Sequence, residues 1–484
     1  MVCVVVGSGV TGLTAAVLLA QRGHKVTLVE ARPHPAPLLR GFQRAGLHFD
    51  TGFHCGGGLH QGGVLRLWLQ ALGVDSVLRK GLTPYVDNFY FANGTRHTLP
   101  SGRADVLRAV GEQFPGCEAG MERFLDAVEH ALAHSPYLNP HIRTEPGFAA
   151  TGGMAVSAVF EQAGFPPPLR TILGTRCLLY GLRPQEADWH EYALVAGPYF
   201  QSNATWEGGG RALARAFLEI LSQAGVTVRC GAAVTGIEAD REGVRSVRLA
   251  HGEYIPCDYC FFTGHPSQLA QLTPPGLLRP VFLRRISGLP ETQNALLLFA
   301  EATAGVREGE NIYLLPRPGS PDLFPDMSTE APCVYLFCHK AQADGRIPVM
   351  AAALLPEGLL PTGDPHPRPA LYTEWKKCAV QRLQSYVEGR LPGLAGHWRV
   401  LDAASGLSLR HWIHGGTGSL YGVRHHRGLM PLLPPTRLQG LFLAGQNVLL
   451  PGVLGGIVSA ALAVGFALGH DVALKEFRQC AVSV

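Results

Sequence analysis

Charge is scarce in this sequence. Only 16% of its 484 residues are Asp, Glu, Lys or Arg, against 46% apolar residues, and the formal net charge is +4. The basic residues fall in short groups such as Arg284-Arg285 and Lys376-Lys377, with no stripe interleaved with aromatics, so no nucleic-acid partner is expected. A disulfide framework is missing as well. Eleven cysteines in so long a chain, an odd number, point to a reducing compartment, and the chain reads as cytoplasmic. Metal spacing is absent: His425-His426 and the His54/His60 pair have no further ligands. Cys257 and Cys260 form a C-x-x-C in an apolar strand with no second pair, so no metal is expected. The apolar run Val2 to Ala20 lacks a basic n-region, which argues against a leader peptide.

The longest charge-free stretch is Leu438 to His470, 33 residues. Its length could span a bilayer. Gln446, Asn447, Pro451 and several glycines interrupt it, however, and glycines at Gly455, Gly456 and Gly465 suit close packing inside a protein. The stretch reads as a strand, Leu441 to Ala444, a turn at Gly445, and a helix starting near Pro451, a residue favoured at the first helical turn.

At the other end, Val2 to Val6 is a β-branched run of the kind buried on both faces of a parallel sheet. Thr11 to Arg22 has helical spacing and stops at Gly23, and Lys25 to Val29 is a second strand closed by Glu30. Between them Gly7, Gly9 and Gly12 form G-x-G-x-x-G. Gly7 permits the tight turn, Gly9 a close approach of backbone to a pyrophosphate, and Gly12 the packing of helix on strand. The helix N-terminus offers free N–H groups to phosphates. Glu30 stands where a carboxylate accepts from adenosine ribose hydroxyls, which disfavours a 2′-phosphate there. A dinucleotide site follows; these residues alone leave NAD and FAD open.

The next segment, "LLRGFQRAGLHFDTGFHCGGGL", closes that choice by resemblance. With Gly46, Phe49, Asp50, Gly52 and His54 in register, the chain resembles the FAD-dependent flavoproteins that include phytoene desaturases, carotenoid isomerases and retinol saturases, within the amine oxidase superfamily. Where that family has a Gly-Gly pair, this chain has Ala36-Pro37, and Arg40, together with Arg32, is assigned to the cofactor phosphates. The resemblance implies FAD as cofactor and an α/β fold: a discontinuous, Rossmann-like FAD-binding domain of the GR2 type with an inserted α+β substrate domain. It divides the chain into FAD-binding parts at 1–85, 201–270 and 401–484, and substrate-domain parts at 86–200 and 271–400. "WEGGGRALARAFLEILSQAGVTVRC…" supplies the returning half, with a helix from about Arg211 to Ala224 and strands at Val226–Arg229, Ala233–Glu238 and Val244–Leu249. Val234 matches the family position that touches the adenine through its backbone. Gly445, Gln446, Asn447, Gly452 and Val453 match the turn and helix that hold the ribityl chain and flavin ring, with the helix N-terminus aimed at the ring. Saturase-like relatives have Gly-Gln-Asp where this chain has Gly445-Gln446-Asn447, and "HWIHGGTGSLYGVRHHRG" resembles their Gly-x-x-Tyr-Gly segment.

The remaining half has no motif of comparable specificity. It shows helical patterns at Leu125 to Ala133 and in "LYTEWKKCAVQRLQSYVEGR", ended by Pro392, and proline-dense loops in "LLPRPGSPDLFPDM" and "LLPEGLLPTGDPHPRP". The family implies a hydrophobic substrate tunnel here. Two catalytic candidates sit in the motifs: His54, at the end of the Asp50-Thr51-Gly52 turn, and Tyr421, whose phenol could act as a general acid. Tyr180 and His265 are weaker candidates. The implied activity is FAD-dependent saturation or desaturation of a C–C bond in a lipophilic polyene or isoprenoid. The alternatives are a redox-neutral cis–trans isomerase of such a polyene and a non-catalytic FAD-binding escort. A lipophilic substrate further implies peripheral contact with the inner face of a membrane. The sequence leaves oligomeric state, redox direction and the particular polyene open.

Overall fold

The computed structural model describes residues 1–78, 81–142, 153–320, 322–359, 370–413 and 417–482. Residues 360–369 of the proline-dense loop and 414–416 of the glycine-rich loop lie outside them.

Two sheets organise the molecule. The first is five-stranded and wholly parallel, in the order Thr227–Arg229, Lys25–Val29, Val2–Val6, Tyr259–Phe262, Leu441–Leu443. Its strands come from both ends and the middle of the chain. The expected elements are present within a residue or two: helices at Val10–Gln21, Gly209–Gln223 and Gly452–Leu468, and a helical stop at Gly23 with φ +75°. Those three helices cover one face, where Cys3, Val5, Leu28 and Phe261 join the helical core. Val4, Val29, Cys260 and Phe262 point the other way, onto a three-stranded antiparallel sheet of Val234–Asp240, Gly243–Leu249 and Tyr254–Pro256. A sheet covered on both faces explains the unbroken β-branched runs.

The charge-free C-terminal stretch is therefore an interior element. Helix Gly452–Leu468 lies so close to helix Val10–Gln21 that a Cβ on Gly456 would stand 2.6 Å from Val10 Cγ1. Among the described residues no helix is long and apolar enough to cross a membrane.

The second sheet is seven-stranded and mixed, in the order Trp398–Ala404, Ala295–Ala302, Ile347–Leu354, Val334–Cys338, Glu310–Leu315, Val86–Phe91, Arg96–Leu99. All neighbours are antiparallel except Val86–Phe91 with Glu310–Leu315. Ala295–Ala302 is buried along its whole length. Leu296 and Leu298 face a core closed by helix Ala370–Arg390, while Leu297 and Phe299 face the hairpin Phe42–Arg44/Leu47–Phe49. Helices Arg103–Gln113, Glu118–Ala133, Val156–Gln162, Pro167–Gly174 and Trp189–Gln201 pack against Phe89, Phe91, Tyr313 and Leu315. Helix Glu118–Ala133 begins a full two turns before the stretch marked by its apolar spacing, because Glu118 and Glu122 lie on its exposed face. The fold is thus an α/β nucleotide-binding unit joined to a substrate domain built on a mixed sheet.

Candidate active site

The carboxyl ends of the five parallel strands open onto a cavity of about 570 Å³. Backbone geometry makes its floor. Gly7 has φ +97°, and a Cβ there would stand 2.4 Å from Thr263 Oγ1, which donates to the carbonyl of Val6 at 2.7 Å. A Cβ on Gly12 would lie 1.8 Å from the carbonyl oxygen of Gly7, so helix and loop touch through bare backbone. A Cβ on Gly9 would meet no protein atom within 4 Å, and Gly9 faces the cavity. The space a side chain would fill is left for a ligand.

Glu30 ends the second strand, buried. Its Oε2 accepts from the backbone N–H and hydroxyl of Ser8 at 2.9 and 2.6 Å, and its Oε1 from Arg32 N–H at 2.8 Å. Ser8 Oγ in turn accepts from Ala36 N–H at 2.9 Å. Ala36 stands in the left-handed region at φ +53°, a conformation glycine adopts more readily. The substituted turn therefore keeps a left-handed residue without the glycine.

Of the residues assigned to the cofactor, Gly7, Gly9, Glu30, Asp50, Gly52, Val234, Gly445, Gln446, Asn447, Gly452 and Val453 all line this cavity. Gly12, Arg32 and Arg40 do not. Gly12 is one layer below, at the contact just described. Arg32 lies over the ring of Trp412 at 5.2 Å with Nη1 3.2 Å from His411 Nε2, while its Nε and Nη2, and Nε of Arg40, are buried without a partner. Unpaired guanidinium donors and open glycine backbone at a helix N-terminus are each chemistry that a diphosphate can use.

On the opposite wall, Gly445 has φ +109° and Ser459 Oγ fixes the turn, accepting from Gly445 N–H at 2.8 Å. Asn447 Oδ1 accepts from Val423 N–H at 3.0 Å, and His425 Nε2 lies 2.7 Å from the carbonyl oxygen of Gln446. The Gln446-Asn447 turn is thereby tied to the loop that carries Tyr421.

A second cavity, about 280 Å³, continues from the first. The two share Gly52, His54, Tyr335, Ala352, Leu420, Tyr421, Gly452 and Val453. Its walls are side chains: Leu178, Leu179, Leu194 and Val195 from the helices, Tyr313, Tyr335 and Ala352 from the mixed sheet, Leu449 and Leu454 from the last turn and helix. Among the described residues no Asp, Glu, Lys or Arg lines it.

His54 and Tyr421, expected from motifs far apart in sequence, stand at this junction. Burial pushes the Tyr421 phenol up to about 12, so it carries its proton across the working pH range. Burial pulls the His54 imidazole below its ordinary value, against the opposing pull of Asp50. Its Nδ1 is buried without a partner. Behind it Asp50, already assigned to the cofactor, is joined by two histidines that sequence reasoning missed, His48 and His339. Asp50 Oδ1 accepts from Gly210 N–H at 3.1 Å and lies 3.3 Å from His48 Nε2, and Oδ2 is 3.8 Å from His339 Nδ1. The His339 ring is edge-on to His54, with centroids 6.4 Å apart, and its desolvation holds it down to about 3. Both shifts favour the neutral imidazole, and of the two it is His54, at the junction, that is placed to pass a proton.

The weaker candidates separate. His265 lines the cofactor cavity, with Nδ1 2.6 Å from Ser267 Oγ. Tyr180 is buried in the helical core against Cys177 and lines neither cavity. Among the described residues no cluster of three or more His, Cys, Asp or Glu could hold a metal. Cys257 sits between two strands rather than in one, and burial pushes its thiol up to about 12.

A glycine loop, a buried carboxylate at the end of the second strand and a closing helix at the carboxyl edge of a parallel sheet are the build of a dinucleotide-binding fold. The chain belongs to the flavin-containing amine oxidoreductase family, whose profile matches residues 10–339. It is an FAD-dependent oxidoreductase, which displaces the escort reading. It is similar to the all-trans-retinol 13,14-reductase of Rattus norvegicus, 23% identical over 95% of this chain and 84% of that one. It is also similar to the hydroxyneurosporene desaturase of Rubrivivax gelatinosus, 26% identical over 99% of this chain and 95% of that one. Among solved structures an oxidoreductase from Methanosarcina mazei shares the fold with a TM-score of 0.67, 14% identity and coverage of 95% and 99% of the two chains.

Proposed function

We propose that this oxidoreductase adds hydrogen to, or removes it from, a C–C bond of a lipophilic polyene or isoprenoid. The observation that carries the reading is the uncharged apolar chamber, which joins the cofactor cavity at His54 and Tyr421 beside the N-terminus of helix Gly452–Leu468. The relatives named for a retinol reductase and a carotenoid desaturase act on molecules that suit such a chamber.

When bound, FAD supplies hydride transfer. The chain's residues do the rest. The glycine loop and the N-terminus of helix Val10–Gln21 bind the diphosphate, with Arg32 and Arg40 at its edge. Glu30, held by Ser8, takes the ribose, and Val234 the adenine. Gly445, Gln446, Asn447, Gly452 and Val453 hold the ribityl and ring portion. Asn447 offers its amide N–H groups there, since its oxygen is committed to Val423. Aliphatic walls exclude water and align the chain of double bonds. Tyr421, protonated, gives a proton to the carbon next to the one that takes the hydride in saturation. In the reverse direction the same Tyr421 oxygen takes that proton back, and His54, neutral, passes it on. An apolar chamber suits a substrate delivered from a membrane surface, so the reading includes peripheral contact at the inner face by a cytoplasmic protein. It also keeps FAD-binding parts at 1–85, 201–270 and 401–484 around substrate-domain parts at 86–200 and 271–400.

The test is anaerobic visible absorbance of the purified holoprotein with all-trans-retinol as probe. Reoxidation of dithionite-reduced flavin by the probe, with loss of a double bond from it, supports saturation; bleaching of oxidised flavin supports desaturation. Turnover should fall about a hundredfold or more in Tyr421→Phe or His54→Gln, with flavin content unchanged. Flavin inert in both states toward retinoid and carotenoid probes would overturn the reading, and altered cis–trans composition under persistently reduced flavin would move it to isomerisation.

A further inference from the structure

The chamber is not uniformly greasy. One wall is the mixed sheet, where a polar layer lies just behind the surface. Asp87 Oδ1 accepts from Asn311 Nδ2 at 2.8 Å, and Asp87 Oδ2 accepts from Arg176 Nη2. Tyr335 O–H donates to Asn311 Oδ1 at 2.8 Å, and Tyr199 O–H to the carbonyl of Cys55 at 3.4 Å. These groups are committed to one another. Tyr313 is the exception. It lines the chamber, stacks on Phe89 at 5.0 Å between ring centroids and tilts against Tyr335 at 5.0 Å, and among the described residues its hydroxyl has no hydrogen-bond partner. Burial raises the phenol well above its ordinary value, so it is a fixed donor.

We infer that Tyr313 is a specificity residue that binds a neutral oxygen, a hydroxyl or carbonyl, carried by an otherwise apolar substrate. The inference rests on the polyene reading and narrows it. A hydrocarbon in the chamber leaves a buried donor unpaired, which costs binding. An ionised carboxylate fares no better. Arg176, the cation behind the wall, is already paired with Asp87, and among the described residues no Asp, Glu, Lys or Arg lines the chamber to offset another negative charge. The class selected is therefore a polyene alcohol, aldehyde or ketone, and both the pure hydrocarbon and the acid are discriminated against.

The experiment measures dissociation constants of the holoprotein for three ligands that differ at one end: all-trans-retinol, the corresponding hydrocarbon with CH₃ in place of CH₂OH, and retinoate. Ligand fluorescence gives the reading without turnover. The alcohol should bind about tenfold or more tighter than either of the others, and Tyr313→Phe should abolish the margin over the hydrocarbon while leaving hydrocarbon affinity unchanged. Tyr335→Phe, whose hydroxyl is committed to Asn311, should keep the margin. The wild-type ligand series stands alone if Tyr313→Phe does not fold. Equal affinity for alcohol and hydrocarbon, tightest binding of retinoate, or a margin that survives Tyr313→Phe would overturn the inference and spare the polyene reading. Failure of all three ligands to bind would bring down both.

Discussion

The cofactor cavity and the chamber meet at His54 and Tyr421 but are made of different material. The first is walled by backbone: Gly7 held against Thr263, Gly9 open to the cavity, Gly12 pressed on Gly7, Gly445 turned by Ser459. The second is walled by side chains from helices and strands scattered between residues 52 and 458. Backbone walls tolerate almost no change in a few residues and any change in the rest. Side-chain walls tolerate many conservative changes, but they depend on the buried polar layer behind them.

The largest effect that would break this contrast lies in that layer. Arg176 and Asp87 are almost wholly enclosed. Arg176→Met leaves the Asp87 carboxylate buried and unpaired, and urea denaturation should show a loss of about 3 to 5 kcal/mol. What remains folded should still carry flavin. Next come two glycines three residues apart. Gly12→Ala forces a Cβ into the Gly7 carbonyl and should cost about 1 to 3 kcal/mol together with the flavin. Gly9→Ala should leave the apoprotein's thermal midpoint where it was and weaken FAD binding about tenfold or more, because its Cβ enters only the ligand's space. Equal damage from both would show that Gly9 is structural.

The third concerns the histidines behind the junction. His339, facing Asp50, His48 and His54, is depressed to about 3 in the folded protein from an ordinary 6.5. Between those values the unfolded chain binds a proton that the folded chain does not, so folded stability falls as pH falls through that window. The slope from this group is about 1.4 kcal/mol per pH unit. Urea midpoints at neutral and mildly acidic pH should show a shallower decline in His339→Leu. The smallest effect is at the substituted turn. Ala36→Gly removes left-handed strain and should raise stability by about 1 kcal/mol without changing flavin content.

The same contrast explains what could be read from residues alone. Gly7, Gly9, Gly12 and Glu30 were legible because a phosphate against backbone demands glycine at fixed spacing, and the flanking strands are unbroken β-branched runs. Thr263 and His265 follow an apolar strand, Tyr259–Phe262, whose carboxyl end was a signal that could have placed both at the cavity. Tyr313 and His339 carried no such signal. They reach the chamber and the His54 cluster only because strands more than two hundred residues from the glycine loop fold against it, and a tyrosine in an apolar strand looks the same whether it faces a core or a cavity. The run ALLLFAEA went unread as a strand, because its burial on both faces follows from the hairpin and the helix that cover it.

The account's central claim is that chamber and cofactor cavity form one site. The most direct test titrates the oxidised, resting holoprotein with all-trans-retinol and records the flavin difference spectrum, alongside Leu194→Trp, which fills the chamber without touching the cofactor cavity. The account predicts a saturable perturbation of the flavin band in the wild type and none in Leu194→Trp at equal flavin content. Retinol bound with no change in the flavin band, or the same change in both proteins, would contradict it.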